Sequence, residues 1–86
     1  GRDYCVIGSL RNGEIEFVEL TVRDGAEAAG KTLRELSLPP ACIVAAVVND
    51  SGAKVPGAAD AISAGDRLVV ILEKKIAEQV VKRFVK

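Results

Sequence analysis

The sequence contains no histidine. That removes the Ser-His-Asp and Cys-His catalytic pairs, and the commonest side-chain metal ligand, in one step. Aromatic residues are almost as scarce, with Tyr4, Phe17 and Phe84 making up 3% of the chain. Charge of one sign is also missing: 12 basic side chains balance 12 acidic ones. A nucleic-acid partner is therefore excluded, since it calls for a basic excess and stacking aromatics. Only two cysteines occur, Cys5 and Cys42, too far apart for the CxxC spacing of redox or zinc sites. They read as small buried hydrophobes in a reducing compartment, with a disulfide or a reactive thiol as the alternatives. No run approaches the roughly 20 apolar residues of a membrane span, and no signal peptide opens the chain. The glycines are scattered as turn punctuation, and neither GxGxxG nor GxxxxGK[ST] occurs, so the chain has no cradle for a dinucleotide or phosphate.

What is present is aliphatic. Apolar residues make up 49% of the 86 positions, mostly Val, Ala, Leu and Ile, and with no net charge this composition excludes disorder. The length predicts one small domain over residues 1–86, with 1–6 as linker. A chain this short buries roughly 60 to 65% of its unfolded surface, so its core is thin and an interface would add stability.

Tyr4 to Leu10 reads as a strand, followed by a turn at Arg11-Asn12-Gly13, where Asn and Gly readily supply positive φ. A second strand runs from Glu14 to Val22, and its apolar set changes face between Phe17 and Val18. A bulge, or cover on both faces, would reconcile this. Arg23 to Gly30 reads as a loop. Thr32-Leu33-Arg34-Glu35 fits a capping box that starts a short helix, which Pro39 stops. Cys42 to Val48 is seven consecutive apolar residues, suited to a strand covered on both faces. Asn49 to Gly52 turns the chain into a short strand, Ala53 to Val55, and a loop leads to a last strand, Leu68 to Leu72. From about Lys74 to Phe84 a helix presents Ile76, Val80 and Phe84 beside Ala77, Val81 and Val85 as one apolar stripe. Lys82, Arg83 and Lys86 at its end complement the helix dipole, with an anion-binding patch as the alternative.

The order β, β, α, β, β, β, α predicts an α+β layer fold, a small mixed or antiparallel sheet with a short helix and a C-terminal amphipathic helix. Two strands ask for cover on both faces and only one long helix is available, so the remaining apolar surface is expected to form a homodimer interface. No group is equipped for catalysis. Ser9, Ser37, Ser51 and Ser63 have no base. Glu14 and Glu16 are expected to share a solvent-facing side of their strand, near Glu19, with divalent-cation binding as the alternative. Asp50, Asp60 and Asp66 are read as turn and cap residues. The chain is read as a non-enzyme, and no metal site is expected.

Four stretches in this order and spacing resemble one family: IGSLRNGEIEFVEL from Ile7, GKTLREL from Gly30, LPPACIVAAVV from Leu38 and ISAGDRLVVIL from Ile62. The pattern is similar to the TrkA-C or RCK-C domain, the C-terminal ligand-sensing module of regulators of potassium conductance, and its start is most similar to TrkA-type potassium uptake regulators. The resemblance implies a cytoplasmic regulatory domain that forms a homodimer. It also implies a membrane potassium channel or transporter subunit as partner, on the inner face of the membrane. NAD or ATP is expected only on a Rossmann-type domain preceding the module in full-length regulators, and no cofactor in this domain. The effector of such domains binds between two copies, and in some Gram-positive relatives it is cyclic di-AMP. Carried over to this sequence, the ligand-binding residues would be Leu36, Leu38, Pro39, Cys42, Ile43, Val44 and Pro56. Binders of that dinucleotide usually place an arginine near the position of Pro39, and many relatives have one at Asn49. Two other readings remain: a purely structural dimerisation module, and an ACT-like amino-acid-binding domain, whose βαββαβ order fits the early hairpin poorly.

Overall fold

Alternating and β-branched segments separated by glycine turns build the sheet first. In the computed structural model, which describes residues 3–86, five strands form one antiparallel sheet. They are β1 (Tyr4–Leu10), β2 (Ile15–Thr21), β4 (Cys42–Asn49), β5 (Gly52–Lys54) and β7 (Arg67–Glu73), in the spatial order β1-β2-β7-β4-β5. Two-residue strands β3 (Lys31–Thr32) and β6 (Ala61–Ile62) form a separate ladder. Between β3 and β4 lies α1 (Leu33–Leu36), and after β7 a 3₁₀ turn at Lys74–Ile76 leads into α2 (Ala77–Val85). The expected α+β architecture is the observed one, with a wholly antiparallel sheet. Gly1 and Arg2, part of the segment read as linker, lie outside the described residues, and Tyr4 already opens β1.

The turn from β1 to β2 uses positive φ at Arg11 (50°), Asn12 (58°) and Gly13 (86°). Asn and Gly accept that conformation at little cost, whereas for Arg11 it is uncommon. The change of apolar face in β2 is resolved by its neighbour: β2 stays regular, and the register of β1 slips between Val6 and Gly8, opposite Phe17 and Val18. Both sides of β2 are thus apolar at this point.

Residues paired across strands share a face. One face carries Val18 and Leu20, Leu68, Val70 and Leu72, and Val44 and Val47, all buried. α2 lays Ala77, Val80, Val81, Phe84 and Val85 on this cluster, and Phe84 is fully enclosed. Leu36, Ile62, Val22 and Ala28 extend the same core toward the β3–β6 ladder.

The segment from Arg23 to Gly30, read from sequence as a plain loop, has a structural task. A helix leaves its last carbonyls without intrahelical partners. Here the N–H groups of Arg23 and Ala28 donate to the carbonyls of Phe84 and Arg83, each at 3.0 Å. The loop therefore closes the C-terminal end of α2. The capping box forms as its spacing predicts: the Glu35 N–H donates to Thr32 Oγ1 at 3.1 Å, and the Thr32 N–H to Glu35 Oε1 at 2.8 Å. α1 ends after one turn at Ser37, which is left-handed with φ 49°.

Candidate functional site

The register also defines a second sheet face, opposite α2. Across it run Leu10 of β1, Ile15 and Phe17 of β2, Val69 and Ile71 of β7, and Ile43, Ala46 and Val48 of β4. Among the described residues no helix covers this side, and Leu10 is 56% and Ile43 59% exposed. Ile7, at the bulge of β1, is 52% exposed. The seven-residue run of β4 is accordingly covered by the chain on one face alone. Its other face joins a continuous aliphatic surface spread over four strands. A concavity of about 200 Å³ opens on this surface, among Ile15, Pro40, Cys42, Ile43, Ile71 and Glu73.

The seven residues expected around a ligand divide between these two sides. Leu36 and Val44 are core residues, 1% and 4% exposed, so they would underlie a site rather than touch a ligand. Leu38 and half-buried Cys42 pack against that core. Ile43 projects from the opposite, open face. Pro39 is half-buried on the connection from α1 to β4, and Pro56 is half-buried just after β5. Cys42 and Ile43 are the two that border the small concavity.

Arg83 organises this corner, although its place in the helix suggested a solvated or dipole-complementing role. Its guanidinium makes a two-pronged contact with Glu27, from Nη2 at 2.7 Å and from Nε at 3.1 Å, and Nη2 also donates to the Leu36 carbonyl at 2.6 Å. The Arg83–Glu27 hydrogen bond holds the Glu27 carboxyl below its ordinary range, and the same contact raises Arg83. One side chain of α2 thus ties the 23–30 loop to the end of α1. Glu27 and Arg83 are 56 positions apart, so no local pattern marks the pair. Burial pushes the Cys42 thiol up from 9.0 to about 11, partly offset by the charge of Arg83. A thiol so protonated is a poor nucleophile. Cys5, expected inside, is exposed on edge strand β1, and both cysteines are free.

The carboxylates depart from expectation at one position. Glu14 lies exposed in the turn, but Glu16 is only 9% exposed because it shares the helix-covered face with Leu72. Among the described residues no three Asp, Glu, Cys or His side chains converge as metal ligands would. Asp60 and Asp66 do act as turn residues. Asp60 accepts the Gly57 N–H at 2.7 Å and the Lys54 ammonium at 3.0 Å, which lowers its pKa. Asp66, 7% exposed, accepts the Ser63 N–H at 2.9 Å and the Asn49 amide at 3.1 Å, joining the end of β4 to the start of β7.

An antiparallel sheet backed on one face by a C-terminal helix, with a largely apolar second face, defines a small α+β domain. A profile of the TrkA-C domain matches residues 17–85, and the chain belongs to that family. It is 28% identical over 70 residues to a Trk system potassium uptake protein TrkA homolog of Archaeoglobus fulgidus, covering 81% of this chain and 16% of that protein. It is 29% identical over 59 residues to a Trk system potassium uptake protein TrkA homolog 2 of Methanosarcina mazei, covering 69% of this chain and 13% of that protein. The chain thus spans less than a fifth of the length of these relatives.

Proposed function

We propose that this chain is a non-catalytic regulatory domain of a Trk-type potassium uptake system, cytoplasmic and working against a membrane transporter subunit. The domain pairs with a second copy through the open sheet face. An effector seated where two copies meet, at the concavity bordered by Cys42 and Ile43, biases how the copies pack. Such a ligand acts only by binding one arrangement better than the other. Family membership and the names of the relatives support the potassium assignment. The observation that carries the pairing is the aliphatic face over four strands, with Ile43 and Leu10 more than half exposed.

The test is titration calorimetry of the domain with cyclic di-AMP and then with divalent cations, with light scattering to follow its mass. Heat from one of these ligands, together with a dimer, supports the regulatory reading. Silence from all of them while the dimer persists favours a purely structural dimerisation module, because Pro39 then stands where the arginine donor of the dinucleotide binders is missing. The ACT-like alternative loses its ground in the observed element order, which opens on the β1–β2 hairpin rather than on a βαβ unit.

A further inference from the structure

The connection from α1 to β4 is tethered at its two ends and little between them. The Ser37 N–H donates to the Leu33 carbonyl at 3.3 Å, and the Glu73 N–H donates to the Ala41 carbonyl at 3.0 Å. Among the described residues Leu38, Pro39 and Pro40 make no backbone hydrogen bond. The two prolines have no N–H to offer, and their fixed φ makes the stretch stiff, so that it turns most freely at its ends. Ser37, at one of those ends, is left-handed with φ 49°. That conformation is uncommon outside glycine and persists where the surroundings hold it. Next to it the Leu36 carbonyl accepts from Arg83 Nη2 at 2.6 Å, while Glu27 aims the guanidinium. The same connection borders the concavity of the open face, to which Pro40 and Ala41 contribute. At about 200 Å³ that concavity falls short of the roughly 300 to 1,000 Å³ of sites that take small molecules.

We infer that residues 37–41 form a strap able to swing out about Ser37 and Ala41 while the rest of the domain stays folded, and that the hydrogen bond from Arg83 to the Leu36 carbonyl is the latch that keeps it shut. Arg83 is thus a positioning residue, and it joins the C-terminal turn of α2 to the rim of the concavity. Swinging out widens the concavity and uncovers Cys42, which lies opposite Leu72 on the helix-covered face. The bearing on an effector rests on the site proposed above; the opening itself does not. A ligand that needs the wider form is weakened in proportion to the time the strap stays shut.

Cys42 reports the opening. With Cys5→Ser it is the single thiol of the chain, and its reaction with a thiol reagent is followed at urea concentrations below the unfolding transition. Arg83 is compared with Arg83→Met, which keeps the bulk of the side chain and removes its donors. With Arg83 in place, the rate is expected to rise with urea as steeply as global unfolding does. With Arg83→Met it is expected to be about tenfold or more faster and nearly independent of urea, the mark of an opening that exposes little surface. Loss of the charge alone would slow the reaction, because Arg83 lowers the Cys42 pKa. Acceleration therefore reads access. A rate for Arg83→Met that climbs with urea as steeply as global unfolding would overturn the strap and leave Arg83 a plain stabilising contact. Arg83→Lys, which can still donate to one partner, serves with the same two outcomes if Arg83→Met does not fold. Glu27→Gln leaves the bond to Leu36 in place and is expected to keep Cys42 protected; acceleration equal to that of Arg83→Met would overturn the assignment of the latch to the carbonyl. Each rate is taken at two protein concentrations, and independence of concentration is expected. A rate that falls as concentration rises would trace the protection to a second copy, and the strap would be overturned. No effector enters the measurement, so its outcome is separate from that of the calorimetry.

Discussion

At the scale of single residues, hydrogen bonds that span three positions close the cap of α1 and the turns at Asp60 and Asp66. Thr32 and Glu35 lie three positions apart, so their reciprocal caps follow from spacing alone. Thr32→Ala removes the Oγ1 that accepts the Glu35 N–H, while the Thr32 N–H can still donate to the Glu35 carboxylate, and is expected to cost about 1 kcal/mol in urea unfolding. Asp60 and Asp66 were likewise readable as turn residues, because each bonds an amide three positions before it. Arg83 was not readable, since its partners arrive through the fold. Cys5 was misjudged because an apolar run does not reveal that its strand lies at an edge with one face bare. The two thiols give a direct check: at pH 8 a thiol reagent titrates Cys5 rapidly in the folded protein, while Cys42 reacts only when the chain unfolds.

At the scale of elements, the five main strands and both helices follow from periodicity and punctuation, with boundaries displaced by up to three residues, the most at the start of α2, where a 3₁₀ turn occupies Lys74–Ile76. The β3–β6 ladder escaped notice because two residues carry no period. The 23–30 segment looked featureless because its contribution is made by backbone N–H groups, which composition does not report. In β2 the conflict of faces was correctly sensed, but the bulge that answers it lies in β1. The latch between α2, the loop and α1 makes a prediction at this scale. Arg83→Ala leaves the Leu36 carbonyl and Glu27 without their cation and is expected to cost about 1 to 2 kcal/mol, a charge-assisted hydrogen bond discounted for the exposure of Glu27. Comparison of urea midpoints for Arg83→Ala, Glu27→Ala and the double variant checks it. The coupling vanishes if the two side chains act independently.

At the scale of the whole molecule, acid and alkaline limits of stability have different origins. Glu27, Glu35 and Asp60 have lowered pKa values in the fold, from hydrogen bonds to Arg83, to Thr32, and to Gly57 and Lys54 respectively. Their contribution is complete above the ordinary carboxylate range near ~4 and is lost as pH falls through the lowered values. Cys42 works in the opposite sense: its contribution is complete below about 9 and is lost as pH rises toward about 11. Denaturation midpoints should therefore be level between these limits and fall beyond each, and Cys42→Ala should remove the thiol's part of the alkaline fall. The candidate site was only partly legible for a reason of the same scale. Which aliphatic residues stay uncovered depends on where the single long helix lands, and that placed Leu36 and Val44 inside and Ile43 outside. The excess of apolar strand over available helix was nevertheless evident from the sequence, and it is the basis of the proposed pairing.

Sedimentation equilibrium at micromolar concentration, on the unaltered chain and on Ile43→Lys, tests that pairing most directly. The expected result is twice the 9.0 kDa chain mass for the first. For the second, it is a folded species of single mass, since Ile43 is 59% exposed and its replacement leaves the core intact. A single-mass species for the unaltered chain would mean that water alone covers the open face and would contradict the pairing.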